Sequence, residues 1–142
     1  MKRFSILGIS LICAMNNLFA QVPIPNGGCE NWINMGTYQI PDSWETLNGT
    51  TISTGVYTCE RGTPGHTGSS YLKLTSKKNN SGTVIRGMAV CDTLNTTTLQ
   101  PVGGFSFSQR PVNLTGSWQF MYGSNNSKGY IEVKLTRWDT IQ

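Results

Sequence analysis

The chain has 142 residues, the length of one domain or of part of one. Charged residues make up 13% and hydrophobic residues 37% of it, both below the usual globular share, with Gly, Asn, Ser and Thr filling the difference. That mixture excludes a coiled coil, a helical bundle and a strongly charged disordered tail, and a single His argues against His-rich metal sites and most His-based catalysis.

Residues 1–20 have the layout of a secretory signal peptide. Lys2 and Arg3 are followed by an apolar run from Phe4 to Ala14, too short to span a bilayer. Leu18-Phe19-Ala20 then places a small residue before Gln21, so cleavage is expected after Ala20. The other reading of the run is an uncleaved anchor. Without Lys2 and Arg3 the formal charge of +4 drops to +2. The remaining cations are scattered, and Lys77-Lys78 reads as a solvated turn, so nucleic acid is not an expected partner. No second long apolar run follows, so no membrane span is expected in the mature chain.

Three cysteines, Cys29, Cys59 and Cys91, remain once Cys13 leaves with the signal. In an oxidising compartment they allow one bridge and one odd thiol. Cys59–Cys91 is the expected disulfide, because both cap strand-like runs, with Cys29 as a small core hydrophobe. The alternative is three free thiols. No CxxC pair points to zinc or to redox exchange.

The mature chain, residues 21–142, reads as a single all-β domain, an antiparallel β-sandwich. Between Thr50 and Thr58, residues Ile52, Thr54, Val56 and Thr58 share a strand face. Leu72 and Leu74 oppose Tyr71, Lys73 and Thr75. Val84 to Val90 reads as one strand covered on both sides, apart from Arg86. Trp118, Phe120 and Tyr122 form an aromatic face expected in the core, and Ile131, Val133 and Leu135 a half-buried strand. Turns are expected at Pro41-Asp42, Gly62–Gly65, Gly68–Ser70, Asn79–Gly82 and Gly123–Gly129, with a longer polar loop from Asn95 to Gly104. About six or seven strands result, against about eight in a two-sheet jelly roll. The C-terminal strands are therefore expected to be missing, unless a smaller sandwich closes as it stands.

Asn26-Gly27-Gly28-Cys29-Glu30-Asn31-Trp32, then Pro41-Asp42-Ser43-Trp44, then Gly68-Ser69-Ser70-Tyr71-Leu72-Lys73-Leu74, resembles the opening of jelly-roll carbohydrate-binding modules. Gly104-Phe105-Ser106-Phe107-Ser108-Gln109-Arg110-Pro111 and Leu114-Thr115-Gly116-Ser117-Trp118-Gln119-Phe120 resemble the carbohydrate metabolism domain of secreted Bacteroidetes proteins. The likeness covers roughly residues 26–138. It implies a jelly-roll fold, an extracytoplasmic location and often a C-terminal sorting domain for type IX secretion. Cys29 stands where that family usually has Phe, and the family's final acidic strands have no counterpart. The resemblance also implies a structural calcium ion, with Glu30 at the position that contributes a carboxylate.

Sugar binding needs a flat aromatic face and planar polar groups. The expected ligand-binding residues are Trp32, Tyr38, Trp44, Arg110 and Gln119, with Asn31, Trp118, Tyr122 and Trp138 as wider candidates. Core packing competes for Trp44 and for the Trp118 strand, and a backbone clamp competes for Arg110. Hydrolysis is not expected. The seven acids form no recognisable pair, His66 sits in a loop, and the Gly-x-Ser-x-Gly of a nucleophile elbow is missing. The Asn-x-Ser/Thr triplets at Asn48, Asn79, Asn95, Asn113 and Asn125 follow from Asn and Thr abundance. The expected function is a secreted or cell-surface, non-catalytic module that binds a glycan or cell-surface polysaccharide. It would need no cofactor beyond that calcium. The alternative is a structural or adhesive spacer without a ligand, and a glycan-processing hydrolase is the third reading.

Overall fold

A computed structural model describes residues 23–123 and 127–137. The signal peptide, Cys13, Asn125 and Trp138 lie outside the described residues. The chain separates into two compact units, Met1–Gln109 and Arg110–Gln142.

In the first unit, ten short strands form five antiparallel two-stranded ladders, so the class is all-β. β1 (Trp32–Asn34) pairs with β2 (Gln39–Pro41), with Ile33 opposite Ile40. β3 (Trp44–Thr46) pairs with β8 (Ala89–Cys91), and β4 (Cys59–Gly62) with β5 (Tyr71–Leu74). β6 (Lys77–Lys78) pairs with β7 (Val84–Ile85), and β9 (Leu94–Asn95) with β10 (Gln100–Pro101). Among the described residues no ladder joins more than two strands. No described helix is long and apolar enough to cross a membrane.

The core is small and half polar. Cys29, Leu47, Cys59 and Leu94 are its buried apolar members, beside buried Thr46, Asn48, Thr51, Thr58 and Ser70. Such a core depends on pairing its polar groups, and the Thr58 hydroxyl is the one buried side-chain group among the described residues left without a partner. Asn48 does most of this pairing. Its side-chain NH2 donates to the Cys59 carbonyl at 2.7 Å. Its Oδ1 accepts the N–H groups of Thr58 (2.9 Å) and Cys59 (3.1 Å). The short strands are thus tied together by side-chain amides where the ladders stop.

Four expectations change. The stretch Thr50–Thr58, expected as a strand, holds a 3-10 turn at Ile52–Thr54, following another at Leu47–Gly49. Its threonine hydroxyls bond back to local carbonyls: Thr50 to Leu47, Thr51 to Val56, Thr54 to Thr51. That local pairing competes with a ladder. Val84–Val90 is not one strand. It breaks at Arg86-Gly87-Met88 because its two ends pair with different partners, β6 and β3. At the break Gly87 meets the end of β5 backbone to backbone, where a Cβ would lie 3.0 Å from the Leu74 carbonyl carbon and 2.6 Å from the nitrogen of Thr75 just beyond it. Lys77-Lys78 is a strand, not a turn, and Lys77 Nζ reaches Glu60 at 3.0 Å. The loop expected from Asn95 to Gly104 contains the β9–β10 pair, whose tip is shaped by Asn95 Oδ1 accepting from Thr97 and Thr98 N–H.

In the second unit, the described residues carry no strand ladder. Trp118 and Tyr122, expected in the core, are 74% and 75% exposed, and Ile131, Val133 and Leu135 are exposed as well. Alternation marks a strand that could bury one face, and among the described residues of this unit no neighbouring strand supplies the cover. Phe120 packs over Gly129, and Lys134 pairs with Glu132 at 3.0 Å.

Candidate functional site

The β3–β8 ladder builds a concave feature of the first unit. Trp44 lies opposite Cys91 and Glu45 opposite Val90. One step beyond, Asp92 N–H donates to the Ser43 carbonyl at 3.0 Å. Ser43 (φ 65) and Asp92 (φ 79) both take left-handed backbone there, so both strands leave the ladder at the same level. Asp92 Oδ2 then accepts the Gly104 N–H at 2.8 Å, which brings Gly104-Phe105-Ser106 alongside. Glu45 Oε2 accepts the Leu94 N–H at 2.6 Å. The indole N–H of Trp44 donates to the Pro25 carbonyl at 3.0 Å, fixing the half-buried ring.

These contacts frame an open groove of about 680 Å³, within the range of small-ligand sites. Ile33, Ile40, Trp44 and Phe105 supply its apolar lining, and Ser43, Glu45, Asp92 and Ser106 its polar groups. Among the described residues no Lys, Arg or His lines it. Glu60 and Glu132 make the ion pairs of the described acids, whereas Glu45 and Asp92 make none.

Of the residues expected to bind ligand, Trp44 lies in this groove. Trp32 is half-buried on β1 and gives its indole N–H to the Cys29 carbonyl at 2.6 Å. Tyr38 stacks on Tyr57 with ring centroids 5.3 Å apart, and Tyr57 donates to the Thr37 hydroxyl at 2.9 Å. Neither Trp32 nor Tyr38 lines the groove. Arg110 and Gln119 are exposed residues of the second unit. Sequence reasoning missed Ser43, Glu45, Asp92, Phe105 and Ser106 as site residues. The signal for Phe105 was its place in the Gly104-Phe105-Ser106-Phe107 segment. Glu45 and Asp92 carried none, because their partners lie far along the chain.

Glu30 does not fit a calcium site. Both its carboxylate oxygens accept the Ser69 N–H at 3.1 Å, Oε1 accepts the Ser70 N–H at 3.2 Å, and the Ser69 hydroxyl donates to Oε2. This is a set of hydrogen donors, while calcium needs oxygen acceptors turned inward. Gly68 (φ +95) makes the close approach, since a Cβ there would run into the Glu30 carboxylate. Among the described residues no group of three or more His, Cys, Asp and Glu could hold a metal ion. Glu30 is the anchor of the loop that enters β5.

The Ser69 hydroxyl, with the Ser70 and Ser69 amides, holds the Glu30 carboxyl below the usual carboxylate range. A depressed value stabilises the fold above the unfolded pKa, about 4.3 for Glu, and that contribution is lost as pH falls through the lower folded value. Glu30→Gln should therefore be less stable than the parent near neutrality, with the gap closing on acidification. Thermal melts between about pH 7 and pH 3 check this. A gap that stays constant across that range would show that the charge is not what anchors the loop.

The expected Cys59–Cys91 disulfide is not formed. All three described cysteines are free thiols. Cys59 sits in the β4–β5 ladder opposite Leu74, and Cys91 in the β3–β8 ladder opposite Trp44. The two strand ends that suggested a bridge belong to different ladders.

Comparison with known proteins returns no matching family model, no matching curated protein and no matching solved structure, so the site is read from its own geometry.

Proposed function

We propose that the chain is a secreted or cell-surface carbohydrate-binding module, non-catalytic and of jelly-roll β-sandwich type. The observation that carries the reading is the groove. A half-buried indole, fixed through its N–H, stands with Phe105 among hydroxyls and carboxylates in a concave site of about 680 Å³. Pyranose C–H faces stack on such rings while the polar groups read the hydroxyls. The signal-like residues 1–20 and the resemblance of residues 26–138 to secreted carbohydrate-associated jelly rolls support the same reading. Glu45 and Asp92 each accept a backbone N–H, which fixes both carboxylates on the groove wall.

Affinity electrophoresis through gels holding xylan, soluble cellulose, pectin or chitosan tests it. Retardation on at least one polysaccharide is expected. Trp44→Ala should weaken it by roughly tenfold, the order of a lost aromatic contact of about 1.4 kcal/mol. Phe105→Ala serves as the second variant if Trp44→Ala fails to fold. Free migration through every gel would remove sugar binding and leave the spacer reading.

A further inference from the structure

The charge of the groove narrows the ligand class. Among the described residues its lining contains two carboxylates, Glu45 and Asp92, and no cation. Neither carboxylate has an ion-pair partner among the described residues. Each is tethered from a different part of the chain, Glu45 by the Leu94 N–H and Asp92 by the Gly104 N–H and the Thr93 hydroxyl. The negative charge is therefore held in place on the groove wall beside Trp44. A uronic acid or sulfated sugar entering there would meet like charge, and a neutral sugar would offer the carboxylates hydroxyl hydrogen bonds without a counter-charge. An ammonium group on the sugar would match them.

We infer that the Trp44 groove selects glycans bearing free, protonated amino groups, such as de-N-acetylated hexosamine chains, over neutral and acidic glycans. This rests on the sugar-binding reading and deepens it. The aromatic and hydroxyl lining favours a sugar over a basic peptide, since Ser43, Ser106 and the ring faces supply what a pyranose uses. Discrimination comes from two sources, attraction of the amine and exclusion of the acid.

The test is calorimetric titration of the intact protein with four trimers: glucosamine, N-acetylglucosamine, glucose and galacturonic acid. The buffer is held at about pH 6, below the range in which such amines lose their protons. The glucosamine trimer should bind roughly tenfold more tightly than the N-acetylated and glucose trimers, and the galacturonate trimer most weakly. About 1 M salt should erode the preference, since the screening length falls to about 3 Å. Glu45→Gln keeps an acceptor for the Leu94 N–H. Asp92→Asn keeps one for Gly104 and tolerates the left-handed backbone. Each should lower the amine preference, read as the ratio of glucosamine-trimer to glucose-trimer affinity, by roughly three- to tenfold. Equal affinity for amine and N-acetyl trimers overturns this inference while the sugar-binding reading stands. No heat with any trimer overturns both. Tighter binding of a lysine tetrapeptide than of the glucosamine trimer, lost in Glu45→Gln, overturns it in favour of a peptide site.

Discussion

Replacing Asn48 by Leu should destabilise the first unit by about 3 kcal/mol or more, a large share of the roughly 5–15 kcal/mol that holds a typical domain together. Asn48 is fully buried. Leu fills a similar volume but strands the N–H groups of Thr58 and Cys59 and the Cys59 carbonyl. Each such buried orphan costs about 1–3 kcal/mol. The three groups lie where β4 begins, so the loss also loosens the β4–β5 ladder from the turn at Leu47–Gly49. Asn48→Asp should be at least as damaging, because it keeps one acceptor, loses the donor to Cys59 and buries a charge. Urea unfolding followed by tryptophan fluorescence reads the difference. A Leu variant within about 0.5 kcal/mol of the parent would mean that water reaches these groups and the amide is not the tie described above.

Elements shaped by their own residues were legible in the sequence. The Asn79–Gly82 turn is one: Asn79 Oδ1 accepts from Ser81 and Thr83 N–H, and Gly82 takes φ 81. The run into β5 is another, where alternation from Tyr71 to Leu74 coincides with a real strand. Elements that depend on a distant partner were not. Thr50–Thr58 alternates like a strand, yet no strand lies beside it, and its hydroxyls close local turns instead. Val84–Val90 looks continuous until two different partners pull it apart. Trp118, Phe120 and Tyr122 alternate without cover. The site divides in the same way. Trp44 was visible as the aromatic after Pro41-Asp42-Ser43. Glu45 and Asp92 become site residues only through bonds to Leu94 and Gly104, and those contacts leave no local pattern.

Native-state labelling with a thiol-specific disulfide reagent should separate the cysteines by orders of magnitude. Cys91 is half-buried at the groove and should react first. Cys29 is buried, and burial, then its neighbour Glu30, push its thiol up against the opposing pull of the Leu72 N–H. Cys59 should react last. Burial foremost, with Cys29 and Glu60 nearby, pushes its thiol up to about 12. The thiolate is the reactive species, so near pH 8 only about one Cys59 in ten thousand is primed, against roughly a quarter of ordinary thiols with a pKa of about 8.5. Its labelling should be slower by about three orders of magnitude before access is even considered. The raised value also has a stability consequence of definite sign. The folded state favours neutral Cys59, so that contribution is complete below the unfolded pKa of about 8.5 and is lost as pH climbs towards 12. Cys59→Ala should therefore flatten the alkaline limb of a stability–pH curve, whatever it costs in packing at neutral pH. Peptide mapping after labelling assigns each rate to its residue. Cys59 and Cys91 recovered as one cross-linked peptide from native protein, unreactive until reduced, would restore the bridge and overturn the separation of the two ladders.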